Sequence, residues 1–158
     1  MSQEVYDKLI DNLTLIGGAV PIYKCAEFTA LIRALFNPEE AELAAAMPLG
    51  MQTPEAISEQ AGRPAEAVVP LLERMADKGL VYHQVRKDKP HYKLMAVLPG
   101  FFEFQFMKGG TTDRDKKLAR LFEDYFQRLW GEAGTIDLRL LNKLTPFSRV
   151  IPVEKEIP

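Results

Sequence analysis

The sequence is poor in the residues that most often carry chemistry. It holds one cysteine, Cys25, and two histidines in 158 residues. A lone thiol forms no internal disulfide, and an iron-sulfur cluster takes about four thiolates, so neither is expected within this chain. His83 and His91 lack an acidic or thiol partner at ligand spacing, which makes them a poor metal site. GxGxxG, GxxxxGK[ST] and HExxH are all absent, and Gly17-Gly18 and Gly109-Gly110 read as helix stops and linkers rather than phosphate cradles. Cys25 precedes a helix in a linker and reads as an inert thiol. No catalytic and no metal-binding residue is therefore expected. The apolar runs fall short of the roughly 18 residues that span a bilayer, and MSQEVYDKLIDNL has neither the basic nor the apolar region of a secretory signal, so the expected location is cytoplasmic. Charge of one sign is also missing. Lys and Arg number 20 against 22 Asp and Glu, for a net charge of −2. With a pI near 5.8, nucleic-acid binding would have to rest on a local patch.

What is present is a globular chain, 47% apolar and 27% charged, with enough apolar residues for one well-filled core. Val5, Tyr6, Leu9, Ile10, Leu13 and Ile16 form one stripe of a first helix that stops at Gly17-Gly18. After the extended link AVPIYK, a second helical stripe holds Phe28, Leu31, Ile32, Leu35 and Phe36. The next start is strongly specified: Asn37 is a good N-cap, Pro38 fits the first helical position, and Glu40 can reach back as a capping-box carboxylate. Thr53, Pro54 and Glu55 repeat that grammar. The helix over 54–61 ends at Gly62, and a tight turn leads to a longer helix over about 64–78 that buries Val68, Leu71, Leu72 and Met75 and stops at Gly79.

VYHQV and HYKLMAV then read as two strands around the charged turn RKDKP. The order helix, helix, helix-turn-helix, hairpin predicts a mainly α (α+β) fold: a winged helix-turn-helix over 26–98, with an N-terminal helix and linker over 1–25 and a C-terminal helical extension and tail over 99–158. GFFEFQF admits either a strand, with Phe102, Phe104 and Phe106 on one face, or a helical turn. A long helix is predicted over about 113–132. Its stripe of Leu118, Leu121, Phe122, Tyr125, Phe126, Leu129 and Trp130 is wide, and Phe122, Tyr125, Phe126, Leu129 and Trp130 form the candidate protein-interaction or homodimer surface. The alternative is that the stripe covers the chain's own core. The tail TIDLRLLNKLTPFSRVIPVEKEIP has short apolar pieces and no capped end.

If the helix over 64–78 read a major groove, Glu66, Val69, Pro70 and Glu73 would face the bases. Base edges are read by Arg, Lys, Asn and Gln, and phosphates need cations, so these four residues supply neither. Pro70 is also expected to bend the helix. Only the wing offers a cationic patch, Arg86, Lys87, Lys89 and Lys93 against Asp88. That patch suffices for weak, non-specific phosphate contact, while lysines on a hairpin also serve simply to keep it from pairing with other edges.

The segments FNPEEAELA (36–44), RMADKGLVY (74–82), GFFEFQF (100–106) and SRVIPVEKEI (148–157), in that order, resemble the N-terminal region of bacterial and archaeal 4Fe-4S ferredoxin-type proteins. The resemblance implies a winged-helix portion that precedes a cysteine-rich, cluster-binding portion. The CxxCxxCxxxCP runs of that family are absent here, so no ligand carries over, and any 4Fe-4S cluster is expected only downstream of this chain. Two functions follow. The first is a non-enzymatic winged-helix module that docks a protein partner or the ferredoxin portion of the same polypeptide. The alternative is a DNA-binding, redox-linked transcriptional regulator acting through the wing.

Overall fold

The structure, a computed structural model, describes residues 3–18 and 21–133. The tail beyond 133, with SRVIPVEKEI, lies outside the described residues, as do Ala19 and Val20 of the link. Among the described residues the chain is mainly helical, with seven α-helices and one two-stranded antiparallel sheet.

Helix α1 (Gln3–Ile16) buries Tyr6, Leu9, Ile10 and Leu13. It is pinned by two side-chain bonds to the next elements: the Tyr6 hydroxyl donates to the Phe36 carbonyl (3.3 Å) and Asn12 Nδ2 to the Ala45 carbonyl (3.0 Å). Helix α2 (Ala26–Leu35) turns Phe28, Leu31, Ile32 and Leu35 into the core. Helix α3 (Pro38–Ala46) starts at a complete capping box. Asn37 accepts from the Glu40 amide, and the Glu40 carboxylate accepts from the Asn37 amide, both at 2.9 Å. Its run of Ala41, Ala44 and Ala45 lets α1 pack close against it.

Helix α4 (Pro54–Ala61) is capped by Thr53 and stopped by Gly62 in the left-handed conformation, φ +62°. Helix α5 (Ala65–Asp77) runs on as a helix through Pro70 and buries Val68, Leu71, Leu72 and Met75. Gly79, φ +70°, ends it. An added Cβ there would lie 2.5 Å from Phe104 Cβ, so glycine is required both for its backbone angle and for that close approach.

Strands β1 (Val81–Arg86) and β2 (Lys89–Leu94) pair from Val81↔Leu94 to Arg86↔Lys89. The connection is therefore a two-residue turn, Lys87-Asp88, tighter than the five-residue RKDKP turn expected. Both turn residues take left-handed angles (φ +49° and +60°), which suits the right-handed twist of a hairpin. Pro90 is absorbed into β2. Gln52 exchanges two backbone hydrogen bonds with Tyr92 (2.9 and 2.8 Å) on the other side of β2.

After an irregular corner over 97–101, which contains a cis Leu98–Pro99 peptide, helix α6 (Phe102–Phe106) resolves the open reading of GFFEFQF in favour of a helix. Phe102 and Phe106 lie one turn apart on one side of it and both meet the Phe122 ring, with centroids 4.9 and 5.7 Å away. Helix α7 (Asp113–Ala133) packs along α2, with the Tyr125 ring 4.8 Å from that of Phe28. One apolar cluster runs from Tyr6 to Leu129, so the segments 1–25, 26–98 and the described part of 99–158 share a core.

Candidate functional site

The surface singled out by the sequence is the outer side of α5 together with the hairpin. Glu66, Val69, Pro70 and Glu73 are all exposed on α5, opposite its buried face. Every cation of α4, α5 and their connection is engaged by α3. Arg63 Nη2 meets Glu42 at 3.1 Å, Arg74 Nη2 meets Glu39 at 3.3 Å, and Lys78 Nζ lies 2.7 Å from both oxygens of Glu40. The carboxylates Glu59, Glu66 and Asp77 have no ion-pair partner among the described residues. The outer side of these helices is therefore acidic in charge and apolar at Val69 and Pro70.

Glu73 has a second role that the sequence did not disclose. Its carboxylate accepts the hydroxyl proton of buried Tyr92 and so ties α5 to β2. Burial foremost, then this hydrogen bond and the carboxylate's charge, hold the Tyr92 phenol above its ordinary range. His83 stacks on the Tyr92 ring, 4.8 Å between centroids and 18° between planes.

The strand register decides where the hairpin cations point. Side chains opposite each other in an antiparallel pair share a face. Val81, His83 and Val85 with Leu94, Tyr92 and Pro90 make the face turned to α5, because Val81, Leu94 and Tyr92 are buried there. Arg86, Lys89 and Lys93 lie on the opposite face with Tyr82, and Lys87 occupies the turn. Lys93 Nζ sits 5.4 Å above the Tyr82 ring, Arg86 Nε donates to Gln84 Oε1 (3.0 Å), and Lys89 and His91 contribute to holding Glu55 below the usual carboxylate range, an effect led by the Thr53 hydroxyl. The cations thus stand apart from the acidic face of α5. His83 and His91 fall on opposite faces of the hairpin, which separates the two candidate ligands.

The stripe on α7 had two readings, a partner surface and a cover for the chain's own core, and the burial of most of it matches the second. Phe122, Tyr125 and Leu129 are buried inside the chain itself, and Phe126 is half-buried against Phe102 (centroids 5.1 Å). The stripe is wide because α7 covers both α2 and α6. Of the five residues only Trp130 is exposed, at 57%. Cys25 is half-buried, and desolvation, ahead of the opposing Phe28 backbone hydrogen bond, pushes its thiol up.

A groove of about 330 Å³ opens between α5 and β1, lined by Glu73, Asp77, Gly79, Tyr82, His83 and Phe104 among others. Tyr82 and Phe104 are 41% and 45% exposed beside it. Sequence reasoning missed this groove. The only available signal was Phe104, which falls out of phase with Phe102 and Phe106 once that segment is helical. No protein family matches the chain, and no curated protein or solved structure does so either.

Proposed function

We propose that the chain is a winged-helix module whose task is to grip protein rather than to read bases or catalyse a reaction. The observation that carries this reading is that Glu66, Val69, Pro70 and Glu73 make up the outer side of α5, while Arg63, Arg74 and Lys78 are turned toward the glutamates of α3. A helix of that kind is repelled by phosphate and lacks the bidentate donors that recognise base edges. The winged-helix reading is supported by the order α3, α4, α5, hairpin and by the isolated Gln52–Tyr92 bridge on the outer side of β2. On the resemblance to 4Fe-4S ferredoxin-type proteins, the partner is another protein or the ferredoxin portion of the same polypeptide, and that portion carries the clusters.

The second reading, a redox-linked DNA-binding regulator, draws on Arg86, Lys87, Lys89 and Lys93. Fluorescence anisotropy with random duplex separates the two. Weak binding that vanishes between about 50 and 200 mM salt is expected, because only a few phosphates can be neutralised. Sub-micromolar, sequence-dependent binding that survives physiological salt would replace the first reading by the second.

A further inference from the structure

The two outer edges of the hairpin are treated differently by the chain. On β2, Tyr92 exchanges backbone bonds with Gln52, and Pro90 has no N–H to offer. Because backbone groups in an antiparallel strand point alternately toward and away from the partner, a Tyr92 turned outward means that its opposite residue, His83, is turned outward too. Val81 and Val85 follow in the same phase. Their N–H and C=O groups have no backbone partner among the described residues. The β1 edge also lacks the usual guards. From Val81 to Val85 it carries no proline, no lysine and no other formal charge.

This open edge borders the groove described above. One wall supplies the carboxylates Glu73 and Asp77, and the others supply Tyr82, Phe104 and Met95. We propose that β1 accepts an extended, basic peptide segment of a partner protein as an added strand. The partner's backbone would pair with Val81, His83 and Val85. Its basic side chains would meet Glu73 and Asp77 beside Phe104, and the alternate apolar side chains would lie on the other face with Tyr82. Charge complementarity selects the occupant: an acidic segment would meet two carboxylates, and a proline-rich one lacks the N–H groups that the edge requires. The inference rests on the protein-gripping reading and names the chemistry of the partner.

The test uses the whole chain and a fluorescein-labelled Lys-Val alternating hexapeptide at physiological salt. Matched peptides carry Glu for Lys, or proline at alternate positions. Saturable binding below about 1 mM is expected for the first peptide alone. His83→Pro removes an outward N–H without breaking the ladder to β2, and Asp77→Lys reverses one wall charge on an exposed helical position. Each is expected to weaken binding at least about tenfold. Far-UV circular dichroism and the urea midpoint confirm that each variant is folded, and amide exchange of Val81, His83 and Val85 should slow when the peptide is bound. No saturable binding, equal binding of the Glu peptide, or full affinity in both variants overturns the edge site. Salt-resistant duplex binding instead removes the reading beneath it, so the two failures are told apart.

Discussion

Lys78→Met tests the clasp between α3 and α5. The Glu40 carboxylate is 0% exposed, and it accepts from the Asn37 amide while both its oxygens lie 2.7 Å from Lys78 Nζ. Taking away the ammonium leaves a buried carboxylate with its capping amide alone. Breaking a fully buried pair costs about 3–5 kcal/mol. The Lys78 side chain is 34% exposed, so water can reach the vacated position and the expected loss is lower, about 2–3 kcal/mol. For a chain of this size that corresponds to a fall in Tm of roughly 5–10 °C. Glu40→Gln keeps an acceptor for the Asn37 amide and removes the charge, so the double variant should recover much of the loss. Urea unfolding of the four proteins, with unchanged m, then yields a coupling of about 2 kcal/mol. If Lys78→Met alone lies within about 0.5 kcal/mol of the parent, the clasp is an exposed ion pair in all but geometry and the reasoning fails.

Gly79→Ala should cost about 1–3 kcal/mol for its left-handed angle plus the clash with Phe104 Cβ, and in a Phe104→Gly background, which lacks that Cβ, the same substitution should lose only the second part of its cost, read by thermal unfolding. Tyr92→Phe deletes the hydroxyl donated to Glu73 and should cost about 1–2 kcal/mol at neutral pH. The raised phenol favours the neutral form in the fold, so its contribution is complete below the ordinary tyrosine value near 10 and is lost as pH climbs past it; the Phe variant should show the flatter alkaline limb in urea midpoints. At the start of α7, the Thr112 hydroxyl (2.7 Å) and amide (2.9 Å) hold Asp115 below the usual carboxylate range. This support is present above the ordinary aspartate value and is withdrawn as pH falls through the lowered one, and Thr112→Val should move the Asp115 titration seen by NMR upward.

The parts of this fold that were legible in the sequence are those fixed by neighbours within a few residues. Asn37, Pro38 and Glu40 announced α3, Thr53 and Pro54 announced α4, and Gly62 and Gly79 marked where helices stop, because capping is local hydrogen bonding. The hairpin was visible but its turn was placed too wide. Pro90 suggested an edge of the loop, whereas in the register adopted its missing N–H faces outward and costs the ladder nothing. The three phenylalanines of GFFEFQF alternate as a strand would, yet packing against Phe122 rewards the spacing of Phe102 and Phe106 along a helix. The site was less legible still. Glu40 and Lys78, or Glu73 and Tyr92, are far apart in sequence, and no local pattern says which carboxylate meets which partner. The exposed carboxylates of α5 were foreseen from helical phase, but the splitting of carboxylates and hairpin cations onto separate surfaces depends on strand register.

The unbroken apolar cluster from Tyr6 to Leu129 limits how this unit can be transplanted. A fragment trimmed to 26–98 would keep every residue of α3, α4, α5 and the hairpin, yet it would strip α1 from one flank and α7 from the other, laying Phe28 and its neighbours open to water. Such an excised piece should bind hydrophobic dyes and clump. The flanking helices are staves of the same cask, and the hairpin stands only while they close around its neighbours.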